Sequence, residues 1–532
     1  MPLCLGLFGI TNEGAIQLKI TFLETSDMHG YVYPTNYAGE HDLALGAAKV
    51  AAKLKELRAK AEGPVVTIEN GDFIQGSPLS YYIAQGNHSV NTLTKVINLM
   101  DYDVQTIGNH EFNYGQNYLQ EAIASYQAPV VAANILNEAG EPYFGKAYTI
   151  IEKEGIKIAV LGLVTQYIPH WEKPASLEGI TFESIVKTAE KYVSLLRQQA
   201  DIVVVSYHGG FERDLSTGEP TEALTGENEG YQLLQEVSGI DALFTGHQHR
   251  TLAATVNGVP VVQPGYRGSQ IGEIQLTVEK RDGKVTVTDS QTALHSLEAV
   301  TADPQILAAV ESAEAELEEW LDRTLGQVEG YMGINDPMEA RLVEHPYIEF
   351  INRVQLSASG TQISGTALFN NEGKGFGQTI TMRDVITNYI YPNTLAVIKV
   401  SGADLRAALE QTANYLAVEN GKIVFNPAFI KPKPQYYNYD MYEGINYTID
   451  MKQPAGQRIT HLTFQGQPIT PEQELEVVTN QYRAIGGGNY AMFGAEKIVR
   501  EIQVDMTELI ADYLKQHPVI KAETNQNFQV IL

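Results

Sequence analysis

The chain has 532 residues. Because a domain usually holds roughly 100 to 200 residues, this length predicts two or more domains. A content of 44% apolar and 19% charged residues excludes a disordered chain and indicates a globular protein with buried cores. The formal net charge of −27 at pH 7 repels long polyanions, which excludes polymeric DNA or RNA as an expected partner.

Cysteine content and apolar runs restrict the possibilities further. Cys4 is the single cysteine, so any bound metal must be held by nitrogen and oxygen ligands rather than by a thiolate cluster. The N-terminal stretch MPLCLGLFGITNEG has no basic residue before its short apolar run, so it does not have the pattern of an export signal. No segment reaches the roughly 20 apolar residues of a membrane-spanning helix, and no membrane insertion is expected.

From residue 16 to about residue 275, β-rich apolar runs alternate with helical stretches. In chain order the segments are IQLKITFLET, LALGAAKVAAKLKELRAKA, VVTIEN, NTLTKVINLM, VQTIG, IKIAVLGLV and IVVVSY. Residues 158–164 and 202–205 are apolar at nearly every position, which is typical of strands covered on both faces. The alternation predicts an α/β domain over residues 1–300.

A long amphipathic helix is predicted next. Asp303 and Pro304 are typical of a helix cap and first turn, apolar residues follow at three- and four-residue intervals, and Gly326 marks the expected stop. We interpret residues 303–325, within a segment 301–328, as a helix that joins two domains. The alternative is that it is the last helix of the first domain.

Residues 329–532 have a different pattern. LAVIKV and LEVVTN are strand-like, GADLRAALEQTANYLA is helix-like, and KPKPQYYNYDMYEG is aromatic and marked by prolines. This mixture predicts an α+β domain.

Polar residues able to bind metal recur in the first domain where an apolar strand ends. They are Asp27 and His29 in SDMHG, Asp72 in ENGD, Asn109 in GNHEF, His208 in SYHGG, and His247 and His249 in TGHQH. Each fragment alone is common in turns and caps, but five in order, each after a strand, are not. Because the carboxyl ends of parallel strands form one rim, the spacing predicts a single site built from five loops.

The composition of this set indicates its chemistry. Two Asp, one Asn and four His are too many ligands for one tetrahedral ion, but they suit two ions that share a bridging carboxylate. Mixed imidazole and oxygen ligands favour zinc, manganese, iron or cobalt over calcium. We therefore expect two divalent metal ions.

With these motifs the chain resembles the calcineurin-like metallophosphoesterases over nearly its whole length. Within them it is similar to the two-domain group of 5'-nucleotidases and 2',3'-cyclic-nucleotide 2'-phosphodiesterases with 3'-nucleotidase activity. The resemblance implies a four-layer α/β/β/α catalytic domain, a linker helix and an α+β C-terminal domain of the 5'-nucleotidase type. It also implies that Asp72 bridges two metals, of which one is held by Asp27, His29 and His249 and the other by Asn109, His208 and His247.

The resemblance gives His110 a role in stabilising the transition state or protonating the departing ribose oxygen. Many 5'-nucleotidases have an aspartate three residues further on that orients this histidine, whereas this chain has Asn113. Asn113 is able to fix the orientation of the imidazole but not to stabilise its cation as a carboxylate would. Whether His110 acts as an acid or only as a hydrogen-bond donor stays open.

The second domain is expected to bind the base between aromatic rings. The segment QYYNYDMYEGINYTID resembles the cyclic-phosphodiesterase subgroup, and TNQYRAIGGGNYAMF resembles the glycine-rich loop that carries the second ring. Tyr437 and Tyr490 are the candidates. Tyr439 is the alternative to Tyr437, because the aromatic cluster aligns in more than one register.

The resulting expectation is a hydrolase that opens 2',3'-cyclic nucleotides and then removes the 3'-phosphate, through hydroxide formed from a metal-bound water. A 5'-nucleotidase, with or without hydrolysis of nucleotide sugars, is the alternative. A non-catalytic binding or adhesion module is the alternative of another class. LFNNEGKGFGQTITM departs from the Arg-ending substrate loop of the 5'-nucleotidases and favours the cyclic substrate. We expect a monomer. The N-terminus favours the cytoplasm, whereas the resemblance implies export to the periplasm or cell envelope.

Overall fold

The computed structural model describes residues 9–10, 16–170, 172, 174–221, 224–391, 393–431, 434–502 and 504–532. Cys4 and most of the N-terminal stretch interpreted above lie outside these residues. The chain divides into two compact units, Met1–Leu317 and Glu318–Leu532. Each unit has its own sheets and helices.

The first unit contains a seven-stranded sheet. The strands Ile16–Thr25, Val65–Glu69, Val104–Thr106 and Val130–Val131 are neighbours and run parallel. Gln270–Arg281 pairs antiparallel with Ile16–Thr25, and Lys284–Ser296 pairs antiparallel with Gln270–Arg281. The short strand Gly9–Ile10 also pairs with Ile16–Thr25. The parallel strands therefore all end at the same edge.

A six-stranded sheet is the second large sheet of this unit. Its parallel centre is Val259–Pro264, Ala242–Thr245, Ile202–His208 and Ile156–Val164. The antiparallel strands Thr251–Val256 and Tyr148–Lys153 lie at its two edges. Residues 202–208 are all buried, and they include the apolar run 202–205 that predicts a strand covered on both faces.

The two sheets pack face to face. Phe22 and Ile68 of the first sheet share one apolar core with Val160, Val204 and Phe244 of the second. On the other face of the second sheet, a separate core includes the helices Ile185–Leu196 and Gly230–Glu236. Three helices connect successive parallel strands of the first sheet: Ala47–Lys60, Asn91–Met100 and Gln116–Ser125. This is the expected four-layer α/β/β/α arrangement.

The helix after the sheets is shorter than predicted. It spans Pro304–Leu321, and Gly326 is not its stop but lies within the strand Thr324–Glu329. This strand pairs on one side with Thr379–Thr381 and on the other with Val519–Lys521. Two ladders of backbone hydrogen bonds therefore hold residues 324–329 in an extended conformation, which overrides the glycine signal.

The second unit is an α+β structure. Its five-stranded sheet has the order Asp440–Glu443, Ile363–Ala367, Glu474–Asn480, Leu395–Ser401 and Ile498–Ile502. A four-stranded sheet contains Gln467–Pro468, Ile459–Phe464, Ile445–Asp450 and Phe528–Ile531. The longer helices are Pro346–Ser359, Gly402–Asn414 and Met506–Gln516. Among the residues described in either unit, no helix has the length and apolar character needed to cross a bilayer.

Candidate metal centre

The seven predicted ligands follow the parallel strands of both sheets of the first unit. The first sheet supplies Asp27 and His29 after Ile16–Thr25, Asp72 after Val65–Glu69 and Asn109 after Val104–Thr106. The second sheet supplies His208, the last residue of Ile202–His208, and His247 and His249 after Ala242–Thr245. All seven side chains are joined by contacts of 4.0 Å or less. We call this group the histidine–aspartate cluster.

The backbone is unusual at five of these positions. Asp27, His29, Asp72, His247 and His249 all have φ between 51° and 67°. A non-glycine residue in this left-handed region costs on the order of 1 to 3 kcal/mol, and such residues gather at functional sites. The loops therefore hold the ligands in conformations that the chain would not adopt for stability alone.

Glycines next to the ligands allow close approach. A Cβ atom on Gly108 would lie 2.2 Å from Oδ1 of Asp72, and one on Gly246 would lie 2.7 Å from Oδ2 of Asp27. A Cβ on Gly76 would lie 2.6 Å from Cβ of His29. These three positions require glycine because any side chain would displace a ligand.

In three of the histidines, one ring nitrogen donates a hydrogen bond to an oxygen outside the cluster. Nδ1–H of His208 donates to the carbonyl oxygen of Asn70 at 2.6 Å, and Nδ1–H of His29 donates to that of Gln75 at 3.1 Å. Nε2–H of His247 donates to Oε1 of Glu227 at 3.0 Å. Because a neutral imidazole carries one proton, the other nitrogen of each ring is left with a lone pair.

These lone pairs face other acceptors inside the cluster. Nε2 of His208 lies 3.1 Å from Oδ2 of Asp72 and 3.2 Å from Oδ1 of Asn109. Nδ1 of His247 lies 2.8 Å from the same Asn109 oxygen. The Asp72 carboxylate and the inward lone pair of His208 lie so close that a positive charge is required between them, either an extra proton or a metal ion. The donor set thus fits divalent metal binding.

Without a bound metal ion, protons supply the positive charge in the cluster. Burial lowers the pKa of His208, but the Asp72 carboxylate outweighs burial and raises this pKa to about 10. Burial likewise raises the pKa of Asp72, and the charges of His208 and His110 reverse this and hold it well below its ordinary value. Burial lowers the pKa of His29 to about 3, so this ring is neutral at pH 7. The cluster strongly favours a cation.

The carboxylates divide the cluster into two groups of converging atoms. Asp27, His29 and His249 form one, and Asp27, Asp72 and His208 form the other. His249 also stacks on Tyr266, with ring centroids 4.8 Å apart. Ser26 donates to Oδ2 of Asp27 at 2.5 Å and fixes its direction.

Glu111 was not recognised from the sequence as part of the site. Its buried carboxylate accepts backbone N–H groups from Asp72 at 2.8 Å, Phe73 at 2.7 Å and Gly108 at 2.7 Å. It therefore ties the Asp72 loop to the loop that carries Asn109. The position of Glu111 in the motif GNHEF could have indicated this role. Nothing in the sequence near Glu227 indicates that it bonds to His247.

His110 lies at the edge of the cluster, where its ring centroid is 5.2 Å from that of His29. Its backbone N–H donates to Oδ1 of Asp72 at 2.8 Å. Nδ1 of His110 lies 2.7 Å from Oδ1 of Asn113, so Asn113 contacts the imidazole as the sequence indicated. Glu172 contacts Asn113 in turn.

The structure places the three predicted tyrosines differently. Tyr437 is half-buried, and its ring centroid lies 6.3 Å from that of Tyr391 and 6.5 Å from that of Tyr482. Tyr490 is fully buried, and its hydroxyl donates to the carbonyl oxygen of Asn438 at 2.8 Å. Tyr439 is 1% exposed, and its hydroxyl donates to the carbonyl oxygen of Arg341 at 3.0 Å.

The rings of Tyr490 and Tyr439 are thus both buried in this structure, and their role in base stacking stays a prediction. The guanidinium of Arg483 lies 3.8 Å from the centroid of Tyr490 and covers that ring. Arg483 is itself buried and pairs with Asp440 at 2.7 Å. Tyr482, one residue before this arginine, is half-buried.

Two protein families match the chain. The calcineurin-like phosphoesterase family matches residues 20–251, and the 5'-nucleotidase C-terminal domain family matches residues 324–495. A 2',3'-cyclic-nucleotide 2'-phosphodiesterase/3'-nucleotidase of Salmonella typhimurium is 31% identical over 90% of this chain and 82% of its own length. The chain belongs to the two-domain 5'-nucleotidase family of metallophosphoesterases. The phosphoesterase family match and the nucleotidase relatives show that this chain is a hydrolase of phosphoric esters.

Two further relatives of the family cover the chain. A Staphylococcus aureus protein, whose crystal structure is described as that of a 5'-nucleotidase, is 36% identical and covers 97% of this chain and 100% of its own, with a TM-score of 0.89. The trifunctional nucleotide phosphoesterase YfkN of Bacillus subtilis is 26% identical over 97% of this chain. The chain spans only 39% of the length of YfkN.

Proposed function

We propose that the chain binds two divalent ions and hydrolyses 2',3'-cyclic nucleotides to 3'-nucleotides, from which it then removes the phosphate. The convergence of lone pairs in the histidine–aspartate cluster is the observation that carries the metal-dependent part. The similarity to the Salmonella typhimurium enzyme, over 90% of this chain, supports the cyclic substrate. Manganese, zinc, iron and cobalt all suit the ligands.

Asp72 is the proposed bridge between the ions. Its Oδ1 accepts the backbone N–H of His110, while Oδ2 faces Nε2 of His208. One ion would be held by Asp27, His29 and His249 together with Asp72, and the other by Asn109, His208 and His247 together with Asp72. When bound, the ions would polarise the phosphoryl oxygens and acidify a water that attacks phosphorus.

The local charge explains how a protein with a net charge of −27 binds a phosphate. Two divalent ions and the carboxylates of Asp27 and Asp72 leave a charge of about +2 in the cluster. Phosphate oxygens are therefore attracted to this position even though the whole molecule repels polyanions.

His110 is the proposed group that meets the departing ribose oxygen. Asn113 engages its Nδ1, so its Nε2 is the nitrogen available to the substrate. A proton donated from Nε2 would prevent an unstable alkoxide from leaving.

We assign base binding to Tyr437 and Tyr482. A base stacked on one ring is worth about 1 to 3 kcal/mol, so Tyr437→Ala or Tyr482→Ala should raise KM for 3'-AMP about tenfold with little change in kcat. Tyr331→Ala is the matched control, because Tyr331 is 65% exposed in the same unit. Equal KM values for all three variants would reject this assignment.

Hydrolysis of 5'-nucleotides is the second candidate, favoured by the protein described as a 5'-nucleotidase at 36% identity. The purified chain, loaded with manganese, should be given 2',3'-cyclic AMP, 3'-AMP and 5'-AMP in separate assays. We expect the first two to be hydrolysed fastest. Hydrolysis of 5'-AMP alone would replace the first candidate with the second, and hydrolysis of none would reject both.

A further inference from the structure

His110 is connected to a carboxylate that lies far away in the sequence. Nδ1 of His110 lies 2.7 Å from Oδ1 of Asn113, and Nδ2 of Asn113 donates to Oε1 of Glu172. Glu172 follows the short helix Ile168–His170 and is 59 positions from Asn113. We call these three side chains the His110 relay.

The carboxylate determines how the amide is oriented. An asparagine side chain has an oxygen that accepts and a nitrogen that donates, and alone it is able to present either one to an imidazole. An ionised glutamate only accepts hydrogen bonds, so Nδ2 of Asn113 must face Glu172. Oδ1 then faces His110, whose Nδ1 must carry a proton.

This orientation matters for the chemistry at Nε2. If the amide were reversed, Nδ2 of Asn113 would donate to Nδ1 of His110, and this interaction would disfavour a ring protonated on both nitrogens. With the amide as observed, both the neutral ring and the imidazolium keep the same hydrogen bond to Asn113. The ring can therefore exchange a proton at Nε2 without turning.

We infer that Glu172 is a positioning residue that fixes the amide of Asn113 and, through it, the tautomer and orientation of His110. It supplies the negative charge that Asn113 lacks, one amide further from the ring. This inference rests on the proposed function for the role of His110 toward the substrate, but the hydrogen-bond geometry is independent of that role.

Glu172→Gln tests the relay, because glutamine has a similar size but is able to present either a donor or an acceptor to Asn113. With manganese-loaded full chain, we expect kcat for 3'-AMP to fall about tenfold while KM changes less than about twofold. p-Nitrophenyl phosphate releases a phenolate that needs no proton, so its kcat should change less than about twofold. Glu178→Gln removes an exposed glutamate from the same segment and should match the wild type.

Exchanging the charged and the amide side chain between positions 113 and 172 distinguishes a positioning role of Glu172 from a general effect on packing. In Asn113→Asp alone, two carboxylates would face each other and repel. In the double variant Asn113→Asp with Glu172→Gln, the new carboxylate accepts both from Nδ1–H of His110 and from the new amide. We expect the double variant to recover most of the kcat for 3'-AMP that Glu172→Gln loses.

The nitrogen chemical shifts of ring-labelled histidine give a readout that requires no turnover. The His110 signal is identified by its loss in His110→Gln. At pH 8 the wild type should show the proton on Nδ1, and Glu172→Gln should show a mixture of tautomers. Unchanged shifts in Glu172→Gln, unchanged kcat, or equal losses on all substrates together with lost metal would each overturn the inference.

The two proposals fail differently. A wild type that hydrolyses 3'-AMP with a Glu172→Gln variant of equal kcat would overturn the relay alone. A wild type that hydrolyses no nucleotide, yet shows the tautomer change on Glu172→Gln, would overturn the proposed function and leave the relay standing.

Discussion

Among the residues that the structure describes, two clusters of side chains place potential metal ligands close together. One is the histidine–aspartate cluster of the first unit. The other, the glutamate cluster, consists of Glu344, Glu349 and Glu443 in the second unit, whose carboxylate oxygens lie within 4.8 Å of one another. By distance alone, both would suit a cation.

The glutamate cluster differs in how its oxygens are used. Both oxygens of Glu344 accept backbone N–H groups, from Asn525 at 2.9 Å and Asn527 at 3.1 Å. Oε1 of Glu349 pairs with Arg353 at 2.7 Å, and Oε1 of Glu443 accepts Nδ2–H of Asn525 at 2.8 Å. Protein donors therefore satisfy this cluster, which needs no metal.

The two clusters also differ in the backbone φ angles and in the pKa values of their residues. None of the three glutamates has a positive φ, whereas five of the seven residues in the histidine–aspartate cluster do. Burial and the neighbouring Glu443 raise the pKa of Glu349 to about 8, so this cluster keeps a proton. The two clusters thus differ in the positive φ angles of their residues and in the lone pairs that face acceptors, although the spacing of their ligand atoms is similar.

Asp72→Asn should have the largest effect. Loss of the bridging charge should remove at least one of two ions per chain and lower kcat about a thousandfold, because bound metals contribute several kcal/mol to such reactions. Inductively coupled plasma mass spectrometry of the dialysed protein measures the number of metal ions per chain. Glu443→Gln is the control in the other cluster; a loss of metal there, or its retention in Asp72→Asn, would break the comparison.

Glu227→Gln should have a smaller effect. The amide is able to donate to Nε2 of His247, which would move the ring proton to the inward Nδ1 and block a lone pair. Such outer partners of metal ligands typically contribute about 10- to 100-fold to affinity. A manganese titration with a competing chelator gives the constant, with the exposed Glu219→Gln as the matched variant. Equal constants for both would show that Glu227 does not orient His247.

The glutamate cluster should affect stability rather than metal. A carboxyl whose pKa rises from 4.5 to about 8 on folding stabilises the protein below pH 4.5, and that stability is lost as the pH rises toward 8. The loss should be on the order of 1 to 3 kcal/mol. Glu349→Gln should flatten this dependence in urea unfolding measured between pH 5 and pH 9. An unchanged slope would reject the raised pKa of Glu349.

The sequence was sufficient to predict strands of the first domain and to predict that the seven side chains of the histidine–aspartate cluster lie together. The strands Ile16–Thr25 and Ile156–Val164 have the predicted bounds because short β-rich runs with recurring apolar residues are typical of strands. Ligands that follow such strands are brought to one edge by the sheet itself.

Other features depend on contacts distant in the sequence. The strand containing Gly326 is formed by partners at residues 379–381 and 519–521, which no local signal indicates. Tyr490 is buried beneath Arg483, and a count of aromatic residues does not distinguish a buried ring from an accessible one. Glu172 and Glu227 act across 59 and 20 positions, so only the folded chain identifies them.

Anomalous diffraction from crystals grown with manganese tests the central claim most directly. The account predicts two anomalous peaks in the first unit, both in contact with Asp72, and none among Glu344, Glu349 and Glu443. Peaks at the glutamates with none at Asp72 would contradict it.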